Sequence, residues 1–227
     1  MTTSNPKNGQ SPSAARPLVV DLDGTLIRGD LLWEALIGLV RQRTWQVILL
    51  PFWLLGGRAR FKNQISRFYS PDPSALPYRR AVLDHCRVAK ENDRRLILAS
   101  ASPKAWVDPV ADHLGLFHAV LSSQGDRNLR GTEKLAAIRG EVGSVPFDYI
   151  GDSKSDSPVW QDAEEAIALE GNPLASRVLS RHPNPRFLPD RAQSRPRAAI
   201  RAMRPRQWIK NALVFAPIFL EIGRAHV

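Results

Sequence analysis

The feature that most constrains this chain is a short apolar run, 18–20, that leads into two carboxylates, Asp21 and Asp23. The run has the composition of a buried strand, and the Gly24-Thr25 pair that follows favours a turn. Side chains alternate between the two faces of a strand, so carboxylates at these two positions cannot both be directed into a core. We therefore expect the chain to be turning here, with both carboxylates facing a cleft.

Further apolar runs alternate with amphipathic segments along the rest of the chain. Strands are predicted at 96–99, 119–121, 147–150 and 166–169. Helices are predicted between or after them at 81–90, 103–114, 132–139 and 158–164. This alternation is typical of a parallel sheet flanked by helices. The predicted fold class is therefore α/β and Rossmann-like, with ligands bound at the carboxyl ends of the strands.

Residues 30–80 interrupt this alternation, and we predict an inserted helical cap there. Asp30 is a candidate N-cap for a helix over 31–41, and 58–69 has a second amphipathic pattern. Between them, residues 45–55 are almost wholly apolar. This segment is too short to span a bilayer. It is either a core helix of the cap or a surface that touches a membrane.

Three more groups of polar side chains follow predicted strands along the chain. The hydroxyl group of Ser100 is placed to hold a phosphoryl oxygen at a strand end. Lys134 falls in the first turn of a predicted helix, where the ammonium group and the helix N-terminus both attract an anion. Asp152 and Asp156 belong to a GDSKSD segment directly after a strand. All these positions are expected at the same edge of a parallel sheet.

Each of these features has a simpler explanation when it is taken singly. The DLDGT segment alone is compatible with an acidic turn or a calcium loop, although an EF-hand would need a glutamate where Leu32 stands. Ser100 alone would suit a helix cap, Lys134 a solvated surface, and the pair Asp152 and Asp156 a turn and a cap. Their succession at the ends of separate strands favours one shared phosphoryl-transfer site.

Together these motifs resemble those of the haloacid dehalogenase superfamily, namely a DxDGT loop, a Ser or Thr at a strand end, a Lys and a GDxxxD pair. The resemblance covers about residues 18–175. It implies that Asp21 is the nucleophile and forms an aspartyl-phosphate, and that Asp23 is the general acid and base. It also implies that Ser100 and Lys134 hold and neutralise the phosphoryl group. An Asp at the second position is typical of phosphatases and phosphotransferases within the family.

The same resemblance implies a Mg²⁺ cofactor. Asp152 would bind the ion together with the Asp21 carboxylate and the Asp23 backbone carbonyl, and Asp156 would be an auxiliary ligand. Carboxylates crowded into one cleft repel each other and repel a phosphate. A hard cation with oxygen ligands is therefore suited to this set of side chains.

The chain has a formal net charge of +10, and nearly all of this excess of positive charge lies in the segment 177–210. That segment holds ten Lys or Arg residues against one acid, Asp190. A basic block favours either nucleic acid or an anionic membrane surface. This one lacks the interleaved aromatic residues of a platform for single strands, and an apolar run follows it. We therefore predict an anionic membrane partner and no nucleic acid.

Residues 201–220 read RAMRPRQWIKNALVFAPIFL. An arginine-rich approach, then Trp208 and an apolar run, is typical of a cytoplasmic juxtamembrane segment and the start of a transmembrane helix. A soluble amphipathic helix is the alternative. The stretch RPRQWIKN resembles the beginning of the first membrane helix in UbiA-type prenyltransferases, in particular the decaprenyl-phosphate phosphoribosyltransferase branch. This resemblance implies a chain cut off inside such a domain, and a substrate that is a phosphorylated small molecule or a lipid-linked sugar phosphate.

The predicted organisation therefore has five parts: a disordered lead (1–16), a hydrolase core with its cap (17–175), a basic linker (176–200), the start of a membrane domain (201–220) and a tail (221–227) that matches a translated sequencing adapter. The expected location is the cytoplasmic face of the cell membrane. A regulatory or docking module for the membrane transferase, without turnover of its own, is the alternative function.

Overall fold

The computed structural model describes residues 16–42, 49–55, 57–125 and 128–190. Its strands are β1 (Leu18–Asp21), β2 (Leu96–Pro103), β3 (Ala119–Ser123), β4 (Asp148–Ile150), β5 (Glu165–Leu169) and β6 (Pro185–Leu188). They form one sheet in the order β3-β2-β1-β4-β5-β6, and all neighbouring pairs are parallel. The predicted α/β class with a parallel sheet is confirmed.

Helices precede or follow the strands throughout the described residues. They are α1 (Leu31–Gln42), α2 (Leu50–Leu55), α3 (Arg58–Phe68), α4 (Arg80–Glu91), α5 (Lys104–Leu114), α6 (Thr132–Val142), α7 (Ser157–Asp162) and α8 (Pro173–Leu179). The apolar segment 45–55, for which a core helix of the cap was one of two interpretations, is helical over Leu50–Leu55, and residues 43–48 lie outside the described part of the chain.

Both faces of the sheet are buried, which explains why the first three residues of the central strand β1 are all apolar. Leu18 and Val20 of β1 pack with α4, α5 and part of the cap on one face, whereas Val19 packs with α6, α7 and α8 on the other. All three side chains are fully buried. Parallel sheets covered on both faces have such continuous apolar strands, and the polar residues are displaced to the strand ends.

Helices α1, α2 and α3 lie between β1 and β2, where the sequence predicts the cap. The Asp30 side chain accepts a hydrogen bond from the Leu32 N–H at 2.8 Å and so caps α1 as expected. Helix α3 packs against both α1 and α2. Gly38 of α1 allows the Tyr69 ring to approach closely, because a Cβ at position 38 would overlap that ring. The cap is therefore a packed helical unit that follows β1 directly.

The sheet extends beyond the core boundary predicted at residue 175. Helix α8 and strand β6 occupy much of 173–188, where composition predicts a linker from 176. Among the strands that the structure describes, β6 pairs with β5 alone, and of its four residues only Leu188 is buried. An edge strand with one neighbour needs few apolar residues and tolerates proline. A sequence with the composition of a linker therefore completes the sheet.

Asp190 after β6 also belongs to this domain. Its carboxylate forms ion pairs with Arg28, at 3.0 Å, and with Arg79. Four of the predicted segments lie outside the described residues, wholly or in part. They are the lead up to residue 15, the rest of the linker (191–200), the membrane start (201–220) and the tail (221–227). Of the helices that the structure describes, none combines the length and the apolar character needed to cross a membrane.

Candidate active site

The residues predicted from the four motifs meet at the carboxyl ends of β1, β2 and β4. Asp21, Asp23, Lys134 and Asp152 line a cavity of about 430 Å³. The other two predicted residues are buried beside them and are joined to them by hydrogen bonds: Ser100 and Asp156. This is the location expected for a ligand site in an open parallel sheet.

Asp21, the last residue of β1, is held by two donors. The Lys134 ammonium lies 2.7 Å from its Oδ1, and the Thr25 hydroxyl donates to its Oδ2 at 3.0 Å. The same ammonium lies 3.1 Å from Oδ1 of Asp156. Asp21 is 6% exposed, Lys134 4% and Asp156 1%. One buried cation thus connects two buried carboxylates.

The pKa values in this group follow from burial and from the shared ammonium. Burial raises the pKa of Asp21 to about 8, although the neighbouring Lys134 opposes the shift. Burial would also raise the pKa of Asp156, but Lys134 and the donors Tyr149 and Ser153 hold it below its ordinary value. Burial alone would lower the pKa of Lys134, yet its two carboxylate neighbours raise it. The lysine therefore stays charged.

Tyr149 and Ser153 fix the position of Asp156. The Tyr149 hydroxyl donates to Oδ1 at 2.7 Å, and the N–H and hydroxyl of Ser153 donate to Oδ2 at 3.0 and 2.8 Å. Sequence analysis gave no role to Tyr149. A tyrosine in a central strand with both faces buried requires a polar partner for its hydroxyl. This requirement could have indicated from the sequence that Tyr149 contacts a polar side chain of the site.

Asp23 has its own set of donors. Its Oδ2 accepts from the hydroxyls of Ser100, at 3.1 Å, and Ser102, at 2.7 Å, and its Oδ1 accepts from the Leu31 N–H at 2.8 Å. Burial raises the pKa of Asp23, and the charge of Asp30 adds to this shift. A carboxyl group whose protonated form is favoured is suited to giving a proton to a leaving group.

Ser100 and Ser102 stand two positions apart on β2, which places them on the same side of that strand. The resemblance implies a phosphoryl contact for Ser100, whereas in this structure its hydroxyl donates to Asp23. Ser102 was missed by sequence analysis, although its spacing from Ser100 was a usable signal. Both hydroxyls orient the Asp23 carboxylate.

Three carboxylates form a candidate metal site. Oxygen atoms of Asp21, Asp152 and Asp156 all lie within 4.8 Å of one another. Burial raises the pKa of Asp152 to about 6, and Asp156 adds to the shift. Gly24, with φ of 81°, passes so close to Asp152 that any side chain there would overlap the carboxylate. The Asp23 carboxylate is not part of this group, which leaves the predicted ligation by its backbone carbonyl as a proposal.

The charges of this group match a divalent cation. Three carboxylates face one ammonium, and within the described residues no hydrogen bond or ion pair involves the side chain of Asp152. All the candidate ligand atoms are oxygens, which Mg²⁺ and Ca²⁺ prefer. A bound cation would lower the pKa values of Asp21 and Asp152, because it favours their ionised forms.

The cap and the loop before α6 supply further polar lining of the cavity. Lys62 of α3 donates to the Ser102 hydroxyl at 3.4 Å, and Asn128 and Arg130 line the same cavity. The neighbouring Asn63 donates to the Gly125 carbonyl at 2.5 Å, which joins the cap to the loop after β3. Sequence analysis missed Lys62, because a lysine on an amphipathic helix is indistinguishable in sequence from one on a solvated face.

A family model for haloacid dehalogenase-like hydrolases matches residues 18–161, more than half of the chain. The chain belongs to this family. In this haloacid dehalogenase-like hydrolase the matched region begins at β1 and ends within α7. It therefore includes all of the predicted site residues.

A longer relative of the hydrolase is an uncharacterized protein of Sinorhizobium fredii (strain NBRC 101917 / NGR234). The two are 34% identical over 206 residues, which is 90% of this chain and 40% of the relative. The chain therefore spans less than half the length of this curated relative.

Two solved structures share the fold of the hydrolase. A protein of unknown function from Bordetella pertussis Tohama I superposes with a TM-score of 0.60 at 14% identity, over 76% of this chain and 98% of that chain. A HAD family hydrolase from Salmonella enterica serovar Typhi superposes with a TM-score of 0.54 at 14% identity, over 75% of this chain and 67% of that chain. At this identity the likeness concerns the fold.

Proposed function

We propose that this hydrolase is a Mg²⁺-dependent phosphomonoesterase that works through an aspartyl-phosphate on Asp21. The observation that carries the proposal is the Lys134 ammonium 2.7 Å from the Asp21 carboxylate in the wall of a cavity lined mainly by residues with polar side chains. An ammonium at this distance neutralises the nucleophile and an approaching phosphoryl group alike. Asp23, held by two serine hydroxyls, supplies a separate carboxyl group for proton transfer.

In the first half-reaction an oxygen of Asp21 attacks the phosphorus atom of a monoester. The bond between phosphorus and the leaving oxygen breaks, and that oxygen takes the proton of Asp23. Thr25 and Lys134 hold the Asp21 carboxylate in place during the attack. Positioned proton transfer of this kind contributes roughly 10²- to 10⁴-fold to the rate.

In the second half-reaction water attacks the phosphorus atom of the aspartyl-phosphate. Asp23, now ionised, accepts the proton of that water, the bond from phosphorus to Asp21 breaks, and inorganic phosphate leaves. Ser100 and Ser102 keep the Asp23 carboxylate in one orientation for both steps. Covalent catalysis thereby divides one difficult hydrolysis into two easier displacements.

Asp21, Asp152 and the backbone carbonyl of Asp23 would hold Mg²⁺, with Asp156 as an auxiliary ligand. The ion would supply positive charge to the oxygens of the phosphoryl group and to the crowded carboxylates. The proximity of the Asp21, Asp152 and Asp156 oxygens supports this assignment.

Magnesium is expected to stabilise the folded hydrolase through this cluster. A ligand that binds only the folded state stabilises it by about 2.7 kcal/mol at a free concentration of 100 times its Kd. Asp152→Asn removes a charged ligand, so we expect the Kd for Mg²⁺ to rise at least about tenfold, because each charged ligand contributes strongly to affinity for a hard cation. Thermal unfolding measured over a series of MgCl₂ concentrations gives the stabilisation by Mg²⁺ and the Kd for Mg²⁺, both for the wild type and for the variant.

Asp162→Asn is the matched control, because Asp162 pairs with Arg139 on the surface and does not line the cavity. It should retain the magnesium-dependent shift of the wild type. Equal magnesium-dependent shifts in the wild type and in Asp152→Asn would contradict the assignment of the ligands.

We also infer that the natural protein continues into a UbiA-type prenyltransferase and that the hydrolase acts on a lipid-linked sugar phosphate at the cytoplasmic membrane face. The basic segment 177–210 and the apolar residues 212–220 support this inference. So does the greater length of the relative from Sinorhizobium fredii. A tethered enzyme meets its neighbour's product at an effective concentration that reaches about the millimolar range, so a fusion of the two activities is chemically reasonable.

The substrate is tested by comparing kcat/KM for polyprenyl phosphoribose 5-phosphate with that for ribose 5-phosphate. We expect the lipid-linked ester to give the higher value. A higher value for the soluble sugar, or no turnover of the lipid, would contradict the lipid-linked substrate and leave the phosphomonoesterase proposal standing. Turnover of neither sugar ester, nor of a generic aryl phosphate, would contradict both.

A further inference from the structure

The cap exposes large apolar side chains on the outside of the domain. Within the described residues nine large hydrophobic side chains are exposed, and more than half of them belong to the cap, although the cap is much the smaller part of the chain. Those in the cap are Trp33, Ile37, Val40, Leu55 and Phe68. Single exposed apolar residues are ordinary on protein surfaces, but a concentration of them marks an interaction surface.

Helix α1 carries the clearest part of this surface. Trp33, Ile37 and Val40 follow one another at spacings of four and three, which places them on one face of the helix. They are 65%, 50% and 45% exposed. The opposite face is packed against the domain and contains the fully buried residues Leu31, Ala35 and Leu39. A helix that is apolar on both sides is typical of a buried or lipid-contacting element.

The cap is also strongly basic. Between residues 31 and 69 there are six Lys or Arg residues and one acid, Glu34. Two of these cations, Arg41 and Arg67, are exposed at the ends of α1 and α3. A surface that combines exposed apolar residues with excess positive charge is typical of proteins that lie on anionic lipid.

We propose that the cap binds the surface of an anionic bilayer, with Trp33, Ile37 and Val40 inserted at the boundary between headgroups and acyl chains. Tryptophan prefers this boundary, and the basic residues of the cap attract anionic headgroups. The cap's excess charge disfavours the same face of a second copy, because like charges would meet. Nucleic acid fits less well, since its bases stack on successive aromatic rings and two of these three side chains are aliphatic.

This inference goes beyond the proposed phosphatase activity, because it rests on side chains outside the cavity. It has a consequence for that activity, however. Leu32 of α1 and Lys62 of α3 line the cavity, so the helices proposed to contact lipid also form part of its wall. A cap docked on a membrane would keep the cavity close to lipid-borne phosphate esters.

The test uses the full chain with Trp33 and Ile37 both replaced by serine. Binding to vesicles of phosphatidylcholine with phosphatidylglycerol is measured by flotation in about 0.5 M NaCl, a concentration that screens the basic segment 177–210 strongly because the Debye length is only a few ångströms. We expect the double variant to bind at least about tenfold more weakly than the wild type, because two inserted apolar side chains are lost.

Val88→Ser is the matched control, because Val88 is 54% exposed on α4, outside the cap. It should bind vesicles as the wild type does. Equal binding by the wild type and the double variant would overturn the proposal. So would light scattering that shows a wild-type dimer which the double variant no longer forms, since that result would assign the face to a second copy.

A measurement on well-folded protein keeps the test decisive if the double variant does not fold. Trp33→Phe retains an aromatic ring and removes one indole from the surface of α1. Brominated lipids should quench the tryptophan emission of the wild type more strongly than that of Trp33→Phe. Equal quenching in the two proteins would show that Trp33 does not reach the lipid and would overturn the proposal.

Discussion

Asp21→Asn is expected to lower kcat for a phosphate monoester by roughly 10⁴-fold or more, because a carboxamide is not a competent nucleophile toward phosphorus. The fold should survive, since the amide oxygen can still accept the hydrogen bond from Lys134, and the Thr25 hydroxyl can rotate to accept one from the amide NH2 instead of donating to Oδ2. Release of inorganic phosphate from an aryl phosphate measures the loss of kcat, and thermal unfolding measures whether the fold is retained.

Asp30→Asn is the control for removing a negative charge from the same cavity. Asp30 lines that cavity, but its side chain accepts the hydrogen bond that caps α1. Asparagine is about as good an N-cap as aspartate, so kcat should remain within about tenfold of the wild-type value. Hydrolysis by Asp21→Asn at a rate near that of the wild type would show that the nucleophile has been wrongly assigned.

Lys134→Met is expected to lower the free energy of unfolding by about 3–5 kcal/mol, the usual cost of removing one partner from a buried ion pair. The substitution preserves much of the side-chain volume but leaves Asp21 and Asp156 buried without their shared cation. Lys134 and Asp156 are almost fully buried, so solvent screens their interaction little. Activity should fall as well, because the phosphoryl group loses the same positive charge.

Lys104→Met is the matched control on the surface. Its ion pair with Asp108 joins residues one turn apart on α5, with side chains 56% and 33% exposed. Exposed pairs of this spacing contribute only about 0.3–0.5 kcal/mol. Urea unfolding of the three proteins gives the comparison, and similar losses of stability in the two variants would contradict a buried, charge-bridging role for Lys134.

Much of the arrangement could be predicted because it depends on chain-local patterns and on one property of parallel sheets. Asp21 stands where an apolar strand ends, and Lys134 stands in the first turn of a helix, as their sequence neighbours indicate. Parallel strands have their carboxyl ends at one edge of the sheet, so residues at or near the carboxyl ends of β1, β2 and β4 lie close together. The proximity of the predicted site residues could therefore be predicted without knowledge of the strand order.

The parts that were missed depend on partners distant in sequence. Strand β6 is recognisable only by its pairing with β5, since its own residues are mostly exposed. Ser102 gains its role because the loop after β1 brings Asp23 to it, and Lys62 because the cap folds over β2. Composition and periodicity describe one segment at a time, so they do not predict contacts between residues that are distant in sequence.

The central claim is that the phosphoryl group passes through Asp21. Reaction of the wild type with an excess of substrate and Mg²⁺, quenched with acid within one turnover and digested, allows the peptide that contains Asp21 to be weighed by mass spectrometry. We predict that this peptide gains the mass of one phosphoryl group in the wild type, and that neither Asp21→Asn nor unreacted protein shows the gain. Phosphate release with no phosphorylated peptide at any quench time, or with the phosphoryl group on a different residue, would contradict the account.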